Sequence, residues 1–485
     1  MKLLGPAARW IEERAGIGAA LAPALTHAVP RSTASWWYVF GSATLALFML
    51  QIATGICLAL VYVPAADQAY QSLEYLNYQA PFGWYLRAVH FWGSNAMVMV
   101  MTLHMIQVFL FGAHKYPREL TWIVGVLLFA CTLGMAFTGQ ILRWDQDAYW
   151  GLGIGASIAA RSPVIGEAVV HALLGGPIIA GRTLSRFFSV HVFLIPGILI
   201  GLIGLHLWLV LRLGINEWPM PGRAVDRDTY RQRYEEEVHR DGVPFFPVAA
   251  RKDMIGMAVV ILAVLAAAAV FGPHGPRGVP DPTIIDTVPR PDFYFLSLFA
   301  LFALLPPWTE TVLLLAGPPL AIGLLLILPF VAGTGEKSWR RRPVSVLAVI
   351  LIVLIVTTLA GLGVKAPWSP VMNAWSGLPT PVAYVLGRTP LELQGALVLQ
   401  NKQCRNCHSL GGEGGLRGPA LDDVATRMTR DQLIHQVLQG GGNMPAYGKN
   451  LSPAEVTALV AFMQTMRPAG EPPARPPVDP VPPTR

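Results

Sequence analysis

Long apolar runs separated by short polar connections dominate this chain. Seven of the runs are long enough to cross a bilayer as helices, because ~20 apolar residues span its hydrocarbon core. They cover residues 35–63, 85–111, 121–141, 187–211, 254–272, 311–332 and 344–363. The pattern predicts an all-α membrane bundle of seven transmembrane helices, four followed by three, with a small α-helical domain after it.

The composition agrees with a membrane protein. Of the 485 residues, 53% are hydrophobic and 13% are charged, whereas soluble domains carry about 25% charged residues. The net charge is +7, and the basic residues cluster between the apolar runs. We therefore interpret them as a topology signal and not as a nucleic-acid surface. Lys and Arg are dense before the first run and in the second, fourth and sixth connections. This bias predicts a cytoplasmic N-terminus, and seven crossings then put the C-terminus outside. We expect the membrane to be the bacterial inner membrane.

Two pairs of histidines lie inside the second and fourth runs. Fourteen residues separate His90 from His104, and fifteen separate His191 from His206. At ~100° per residue both spacings return near the same helix face, with the two levels ~21 Å apart along the axis. Facing imidazoles from two such helices can ligate two irons. We therefore predict two stacked haem b groups, since four incidental core histidines in register would be costly in a membrane.

Glycines repeat the same register in the first and third runs. Gly41 and Gly55, like Gly125 and Gly139, are fourteen residues apart. A flat macrocycle between helices needs positions without a side chain, which glycine supplies. Membrane helix packing also uses glycine, but the shared register favours cofactor binding.

Arg87 lies one helical turn before His90. We expect it to neutralise a haem propionate, the alternative being a side chain anchored at the bilayer surface. Most of the other histidines are expected in surface or loop positions, although His27 or the basic residues near Arg212 could serve an inner quinone site. Those histidines are His27, His114, His171, His239, His274 and His435.

The composition changes after the last apolar run. We predict a linker at 366–390, a soluble domain at 391–467 and a disordered Pro-rich tail at 468–485. Within the domain, Cys404 and Cys407 precede His408 in a C-x-x-C-H motif. This motif attaches haem c through two thioethers, with the histidine as first axial ligand. A redox disulfide or a zinc site would not need a histidine at that position.

A methionine downstream of this motif is a candidate sixth ligand of the haem c iron. Met444 lies in the stretch Gly442–Pro445, before a final helix that begins with the capping pair Ser452 and Glu455. A core methionine is the alternative. Covalent haem attachment takes place on the outer face in bacteria, in agreement with the charge count.

Residues 1–365 resemble the cytochrome b of quinol–cytochrome c oxidoreductases, the Rieske/cytochrome bc complexes. The segment Pro291–Tyr294 resembles the Pro-Glu-Trp-Tyr quinol-site motif of that family. The other matching stretches are Trp10–Arg14, Gln51–Gly55, Arg87–His90, Pro117–Trp122, Trp144–Gln146, Pro163–Gly166 and Arg186–His191.

Two details resemble the chloroplast-type branch of the family. These are the fifteen-residue spacing and the three helices after the fourth. That branch divides the protein into two subunits, which here would be joined as domains 1–215 and 216–365. Val39 stands where the branch has a cysteine that holds an additional haem, and Asp292 and Phe293 replace the usual Glu and Trp.

The resemblance implies bifurcated quinol oxidation. Quinol would bind near the outer surface, between the connection containing Gly151 and the segment Pro291–Tyr294. One electron would pass to a Rieske iron–sulfur protein and the other inward through the two b haems to a quinone, with proton translocation. Asp292 is the candidate base, with helix capping as the alternative, and Tyr294 is a second candidate.

The resemblance also implies partners. No second Cys/His pair suits a Rieske centre, so a separate Rieske subunit is expected. The haem c domain would take its electron and pass it to a cytochrome c-type acceptor or a terminal oxidase, in a homodimeric complex. The alternatives are a bis-haem anchor of a dehydrogenase, which would lack the Pro291–Tyr294 segment, and a non-redox transport protein, which would not need the haem c motif.

Overall fold

The structure is a computed structural model with two compact units. The first comprises Met1–Arg143, Phe187–Pro276 and Pro318–Ile355, and the second Trp144–Arg186, Arg277–Gly317 and Val356–Arg485. The described residues are 6–16, 18, 22, 25–176, 179–281, 290–305, 307–365, 379–414, 418–440, 444, 447–448 and 451–474. Parts of the predicted linker and tail (366–378 and 475–485) therefore lie outside the described residues, and the predicted domain boundaries stay predictions.

The described chain is predominantly helical. Two short antiparallel pairings supplement the helices: β1 (Ala28–Val29) with β2 (Val243–Pro244), and β3 (Ser409–Leu410) with β4 (Glu413–Gly414). The helices are α1 Pro6–Ala15, α2 Phe40–Ala59, α3 Ala69–Tyr78, α4 Gly83–Leu110, α5 Glu119–Ile141, α6 Gln146–Ala160, α7 Gly166–Leu174, α8 Gly181–Ser189, α9 Ile195–Leu213, α10 Tyr230–Asp241, α11 Ala250–Phe271, α12 Phe293–Leu304, α13 Pro307–Val331, α14 Pro343–Val364, α15 Val382–Val385, α16 Pro390–Asn401, α17 Val424–Arg427, α18 Arg430–Gln439 and α19 Pro453–Met463.

The seven predicted spanning helices are confirmed. Among the described residues, seven helical stretches are long and apolar enough to cross a membrane. The fourth begins earlier than predicted because α8 continues into α9, and the short helices α6, α7 and α12 were not anticipated. The seven stretches are Phe40–Ala59, Gly83–Leu110, Glu119–Ile141, Gly181–Leu213, Phe245–Phe271, Thr311–Val331 and Pro343–Val364.

One π-helical turn, Val190–Leu194, joins α8 to α9 and contains His191. In a regular α-helix, fifteen residues overshoot a whole number of turns by ~60°. A π turn closes with i→i+5 hydrogen bonds and underwinds the helix locally. It therefore absorbs the additional residue between His191 and His206 and keeps both imidazoles on one face.

The first unit places each glycine-bearing helix beside a histidine-bearing helix. Helix α2 packs against α4, α5 packs against α9, and α11 covers α2 and α4. The buried side chains between them are apolar, with Leu47, Val124 and Leu199 almost fully enclosed. Because the helices pair in this way, the glycines and histidines of one register meet.

A buried polar cluster ties together three connections of this unit. Lys337 Nζ lies 2.6 Å from Glu217 Oε1, and Tyr230 donates a 2.7 Å hydrogen bond to Glu217 Oε2. Arg118 Nη1 donates in turn to the Tyr230 hydroxyl at 2.6 Å. Burial alone would raise the pKa of Glu217, but the charges of Lys337 and Arg118 outweigh it and lower that pKa to about 2. The carboxylate is therefore held ionised among its partners.

The second unit contains a small helical domain with its own core. Helices α16 and α19 cross so closely that a Cβ on Gly395 would lie 2.0 Å from the carbonyl oxygen of Ala458. Around this crossing pack Leu399, Leu410 and Phe462, all fully buried. The predicted capping box of α19 is confirmed, since Ser452 and Glu455 exchange hydrogen bonds with each other's backbone. This domain presents the C-x-x-C-H motif on the turn that follows α16.

Candidate haem and quinone sites

Each of the four histidines faces the glycine that occupies its register on the neighbouring helix. The predicted role of these glycines toward a flat macrocycle stays a prediction. In the structure Gly55 and Gly139 leave room for an imidazole edge, whereas at Gly41 and Gly125 a Cβ would make an ordinary contact. A Cβ at each glycine would meet a histidine Cε1: Gly55 at 3.3 Å from His90, Gly139 at 2.8 Å from His191, Gly41 at 3.4 Å from His104 and Gly125 at 3.7 Å from His206.

The pair His90 and His191 has the separation that a bis-imidazole metal centre needs. Their ring centroids are 6.5 Å apart and the ring planes cross at 75°. A metal–imidazole bond of ~2.0–2.1 Å, with ~1.1 Å from nitrogen to ring centroid, places two opposed rings ~6.3 Å apart. The residues present therefore fit an iron held between them. His104 and His206 are likewise close enough to interact electrostatically.

Hydrogen bonds orient the first of these pairs. His90 Nδ1 lies 2.9 Å from the hydroxyl of Thr54, and His191 Nδ1 lies 2.9 Å from the hydroxyl of Thr138. Nε2 is thereby left as the ring atom that can bind a metal. In the part of the chain that the structure describes, no side chain forms a hydrogen bond with Nδ1 of His104 or His206, and a backbone hydrogen bond links His206 to Thr121.

Arg87 is buried and hydrogen-bonded to protein groups. Its guanidinium donates to Asn77 Oδ1 at 2.9 Å and to the carbonyl oxygens of Gly275 and His274, both at 2.6 Å. The connection after α11 therefore holds this side chain. Its predicted role toward a haem propionate stays a prediction.

The predicted quinol segment begins helix α12 in the second unit. Asp292 occupies the N-cap position, but its side chain makes no capping hydrogen bond. Its Oδ2 instead accepts a 2.9 Å hydrogen bond from the Tyr294 hydroxyl. Pro291, Asp292 and Tyr294 are half-buried and Phe293 is exposed. The capping alternative for the Asp292 carboxylate is therefore wrong.

Gly151, the other predicted quinol-site residue, lies in α6. A Cβ built on it would find open space, with nothing within 4 Å. Helix α6 is fixed at its start by Asp145, whose carboxylate caps Ala148 N and also accepts from Arg277 N. The second unit therefore ties this helix to the connection that leads toward α12.

The C-x-x-C-H motif lies on one tight turn. The Cys404 carbonyl accepts from Cys407 N at 3.2 Å and His408 N at 3.0 Å, so the three side chains share one tight turn. His408 Nδ1 donates to the Pro419 carbonyl at 2.7 Å, which leaves Nε2 for iron. Burial raises the pKa of the Cys404 thiol to about 12, so this sulfur is not a free reactive thiolate.

Met444 lies against the core of the same domain. Its sulfur accepts a hydrogen bond from Gln436 Nε2 at 3.5 Å. The neighbouring residues Gly442, Asn443 and Pro445, on which the loop assignment rests, lie outside the described residues. Ligation of a haem iron by Met444 stays a prediction.

The sequence analysis did not predict one buried polar group, formed by Asp253, Ser42 and Lys252. The carboxylate of Asp253 accepts from Ser42 Oγ and from Lys252 Nζ, both at 2.7 Å. Ser42 follows Gly41, the glycine that faces His104. A Lys-Asp dipeptide at the start of an apolar helix was the available signal, but its partner Ser42 is 211 residues away.

Two further side chains have surroundings that the sequence did not indicate. His114 was expected in a surface or loop position; it lies in a connection but is fully buried, stacked on Phe109 with ring centroids 5.5 Å apart. Burial, reinforced by Lys115 and Arg342, lowers the pKa of His114 to about 3. Val39 packs against α11, where a Cβ on Gly256 would lie 2.0 Å from its Cγ2.

These features define a class of protein: a membrane cytochrome with paired histidines in its helical bundle and a C-x-x-C-H domain. Residues 25–214 match the family model for cytochrome b/b6/petB. Residues 393–463 match the model for cytochrome c oxidase, cbb3-type, subunit III.

Relatives extend the match beyond the four-helix part. Cytochrome b of Allochromatium vinosum is 30% identical over 370 residues, which cover 73% of this chain and 87% of that protein. The menaquinol:cytochrome c reductase cytochrome b subunit of Geobacillus thermodenitrificans is 38% identical over 214 residues, 43% of this chain and 96% of that protein. A solved structure, "Hyperthermophilic respiratory Complex III", has a TM-score of 0.62 at 28% identity and covers 75% of this chain and 92% of that chain. The chain belongs to the cytochrome b family.

The glycine–histidine contacts can be tested by adding one methyl group. We expect Gly139→Ala to displace the His191 imidazole, because the new Cβ would lie 2.8 Å from its Cε1. The haem b content relative to haem c, measured on the purified protein by pyridine haemochrome spectra, should fall by about half. Gly134→Ala on the same helix is the control, since its Cβ would make an ordinary 3.7 Å contact with Ile195. Full haem b content with an unchanged spectrum in Gly139→Ala would contradict the assignment.

Proposed function

We propose that this chain is the cytochrome b/c subunit of a quinol:cytochrome c oxidoreductase. It oxidises quinol at the outer face with bifurcated electron transfer, reduces quinone at the inner face and thereby translocates protons. The observation that carries the proposal is the pair of imidazoles 6.5 Å apart, each set against a glycine, in a cytochrome b chain that continues into a C-x-x-C-H domain. Both kinds of redox centre would thus be held by one polypeptide.

The residues named above would hold the cofactors. His90 and His191 would ligate one haem b, His104 and His206 a second, and Cys404, Cys407 and His408 would hold haem c with Met444 as sixth ligand. When bound, these haems supply one-electron transfer. The charge distribution supports an orientation with His90 and His191 on the outer side, the haem c domain outside, and the N-terminus in the cytoplasm.

At the outer face, Asp292 would accept the proton of a bound quinol. Its Oδ2 already accepts from the Tyr294 hydroxyl, so the carboxylate is oriented and Oδ1 is left as an acceptor for a quinol hydroxyl. Phe293 beside it is exposed and offers an apolar contact to the quinol ring. Gly151 would leave space for the same ligand.

At the inner face, Asp253 and Lys252 would supply protons to a bound quinone. Both side chains are buried. The Asp253 carboxylate accepts from Lys252 and from Ser42, which follows Gly41 in the helix. A buried acid and base beside the His104 pair form the acid–base group that quinone reduction needs. The Lys252 ammonium also offsets the negative charge of the carboxylate.

The partner of this subunit would be a Rieske iron–sulfur protein, as the family resemblance implies. The haem c domain would then take the place of, or supplement, a separate cytochrome c-type subunit. The relative from Geobacillus thermodenitrificans carries a menaquinol reductase name, and it supports menaquinol as the substrate here. The joined four-helix and three-helix parts, with the fifteen-residue histidine spacing, support the chloroplast-type branch.

Asp292→Asn tests the outer-face base. Asparagine keeps an oxygen that accepts from Tyr294 but removes the basic carboxylate, so quinol oxidation should slow by ~10²-fold or more. Steady-state quinol:cytochrome c reduction by the purified complex measures this, with haem spectra unchanged. Asp228→Asn, at an exposed position, is the control. Turnover equal to wild type in Asp292→Asn would refute the role.

Removal of the Rieske subunit tests the electron route to haem c. We expect rapid quinol-driven reduction of haem c in the complete complex, followed by stopped-flow spectroscopy. The complex without its Rieske subunit should lose this phase, because the proposed electron route to haem c passes through the Rieske cluster. Persistence of the rate would show that haem c is reduced by another path.

Asp253→Asn tests the inner-face group. Loss of the carboxylate should slow the quinone-dependent reoxidation of haem b by ~10²-fold or more, without changing the first reduction of haem c. Flash- or mixing-induced haem b kinetics give both rates in one experiment. Asp253→Glu should recover part of the rate, and Asp228→Asn should have no effect. Unaltered reoxidation in Asp253→Asn, with intact haems, would place the inner quinone elsewhere.

A further inference from the structure

The two histidine pairs differ in the residue that precedes each facing glycine. In the His90–His191 pair, the residue before each facing glycine is a threonine: Thr54 before Gly55 and Thr138 before Gly139. At the corresponding positions of the His104–His206 pair stand Phe40 and Val124, which have no hydrogen-bonding side chain. The glycine of each Thr-Gly dipeptide makes room for an imidazole, and its threonine contacts that same imidazole at Nδ1.

The direction of these hydrogen bonds follows from the inventory of donors. The Thr54 hydroxyl donates to the Leu50 carbonyl at 2.7 Å, and the Thr138 hydroxyl donates to the Gly134 carbonyl at 2.9 Å. A hydroxyl has one hydrogen, so with that hydrogen on the carbonyl each threonine oxygen can accept from the imidazole. When Nε2 binds a metal, Nδ1 of His90 and of His191 carries the hydrogen and donates it to the threonine oxygen.

We propose that Thr54 and Thr138 are positioning residues that lower the reduction potential of the haem held by His90 and His191 relative to the haem held by His104 and His206. An acceptor on the second ring nitrogen makes an imidazole a stronger electron donor, and a stronger donor stabilises the oxidised metal. Among the described residues, no side chain forms a hydrogen bond with Nδ1 of His104 or His206. The backbone contacts are matched between the pairs, with Thr121 beside His206 and Met135 beside His191, so the two threonine hydroxyls are the difference. The difference would favour electron flow from the first pair to the second, and the inference rests on the proposed haem ligation.

Valine substitutions test the inference because valine has the shape of threonine without the hydroxyl. In Thr138→Val and Thr54→Val we expect the midpoint potential of one b haem to rise and that of the other to stay unchanged. A tenfold change in the reduction equilibrium of one haem corresponds to ~59 mV. Potentiometric titration of the purified complex, followed in the visible spectrum, resolves the two b haems.

Matched controls exist on the same helices. Thr132 on α5 and Thr44 on α2 are buried, and their hydroxyls also donate to a helix carbonyl, of Leu128 and Phe40. Thr132→Val and Thr44→Val should leave both potentials unchanged. Thr138→Ser and Thr54→Ser should restore the wild-type value, since serine keeps the acceptor oxygen.

The reverse substitution keeps the inference falsifiable if a valine variant binds haem poorly. Val124→Thr places a hydroxyl next to Gly125, opposite His206, and should lower the potential of the other b haem. Unchanged potentials in Thr138→Val and Val124→Thr, with both b haems present, would overturn the role of the threonines. Failure of the haem ligation itself would appear differently, as full haem b content in His90→Ala and His206→Ala.

Discussion

The packing of imidazoles against facing glycines, closest at Gly139 and Gly55, is the contact on which the helical bundle depends. Packed helices lie ~8–10 Å apart, so an imidazole directed at a neighbouring helix comes close to its backbone, and at the tightest positions the facing residue has to lack a Cβ. The space between glycine and imidazole is smallest at Gly139, where a Cβ would lie 2.8 Å from the His191 ring. This requirement pairs α2 with α4 and α5 with α9, and it sets how each helix is rotated about its axis.

The same requirement explains why the two histidine-bearing helices tolerate different spacings. A ring can face its glycine at both levels of the bundle only if the helix returns to the same face. In α4 fourteen residues of regular helix suffice. In the fourth spanning stretch, the π-helical turn at Val190–Leu194 absorbs one more residue, and this turn contains His191. A local irregularity of the backbone thus preserves a long-range register.

Two charged groups of the bundle are held by partners from other segments. Arg87 is held by carbonyls that follow α11, and Asp253 by Ser42 and Lys252. In a bilayer an unsatisfied group of this kind costs several kcal/mol (~2–7). Such groups therefore connect helices that apolar packing alone would leave free to slide. The C-terminal domain has its own apolar core and capped helices, and it builds its histidine site from a single turn.

Length, apolarity and motif spacing are properties of consecutive residues, so the sequence by itself determined the seven spanning helices, the four histidines with their glycine register, and the C-x-x-C-H turn. Only the tertiary structure decided which glycine each histidine faces and that threonines contact His90 and His191. It alone brought Ser42 to Asp253, buried His114, and directed the Asp292 carboxylate to Tyr294 instead of the helix end. These outcomes depend on helix rotation and on contacts between residues far apart in the chain. Periodicity along a single helix predicts a face, but not the group that a distant segment places against it.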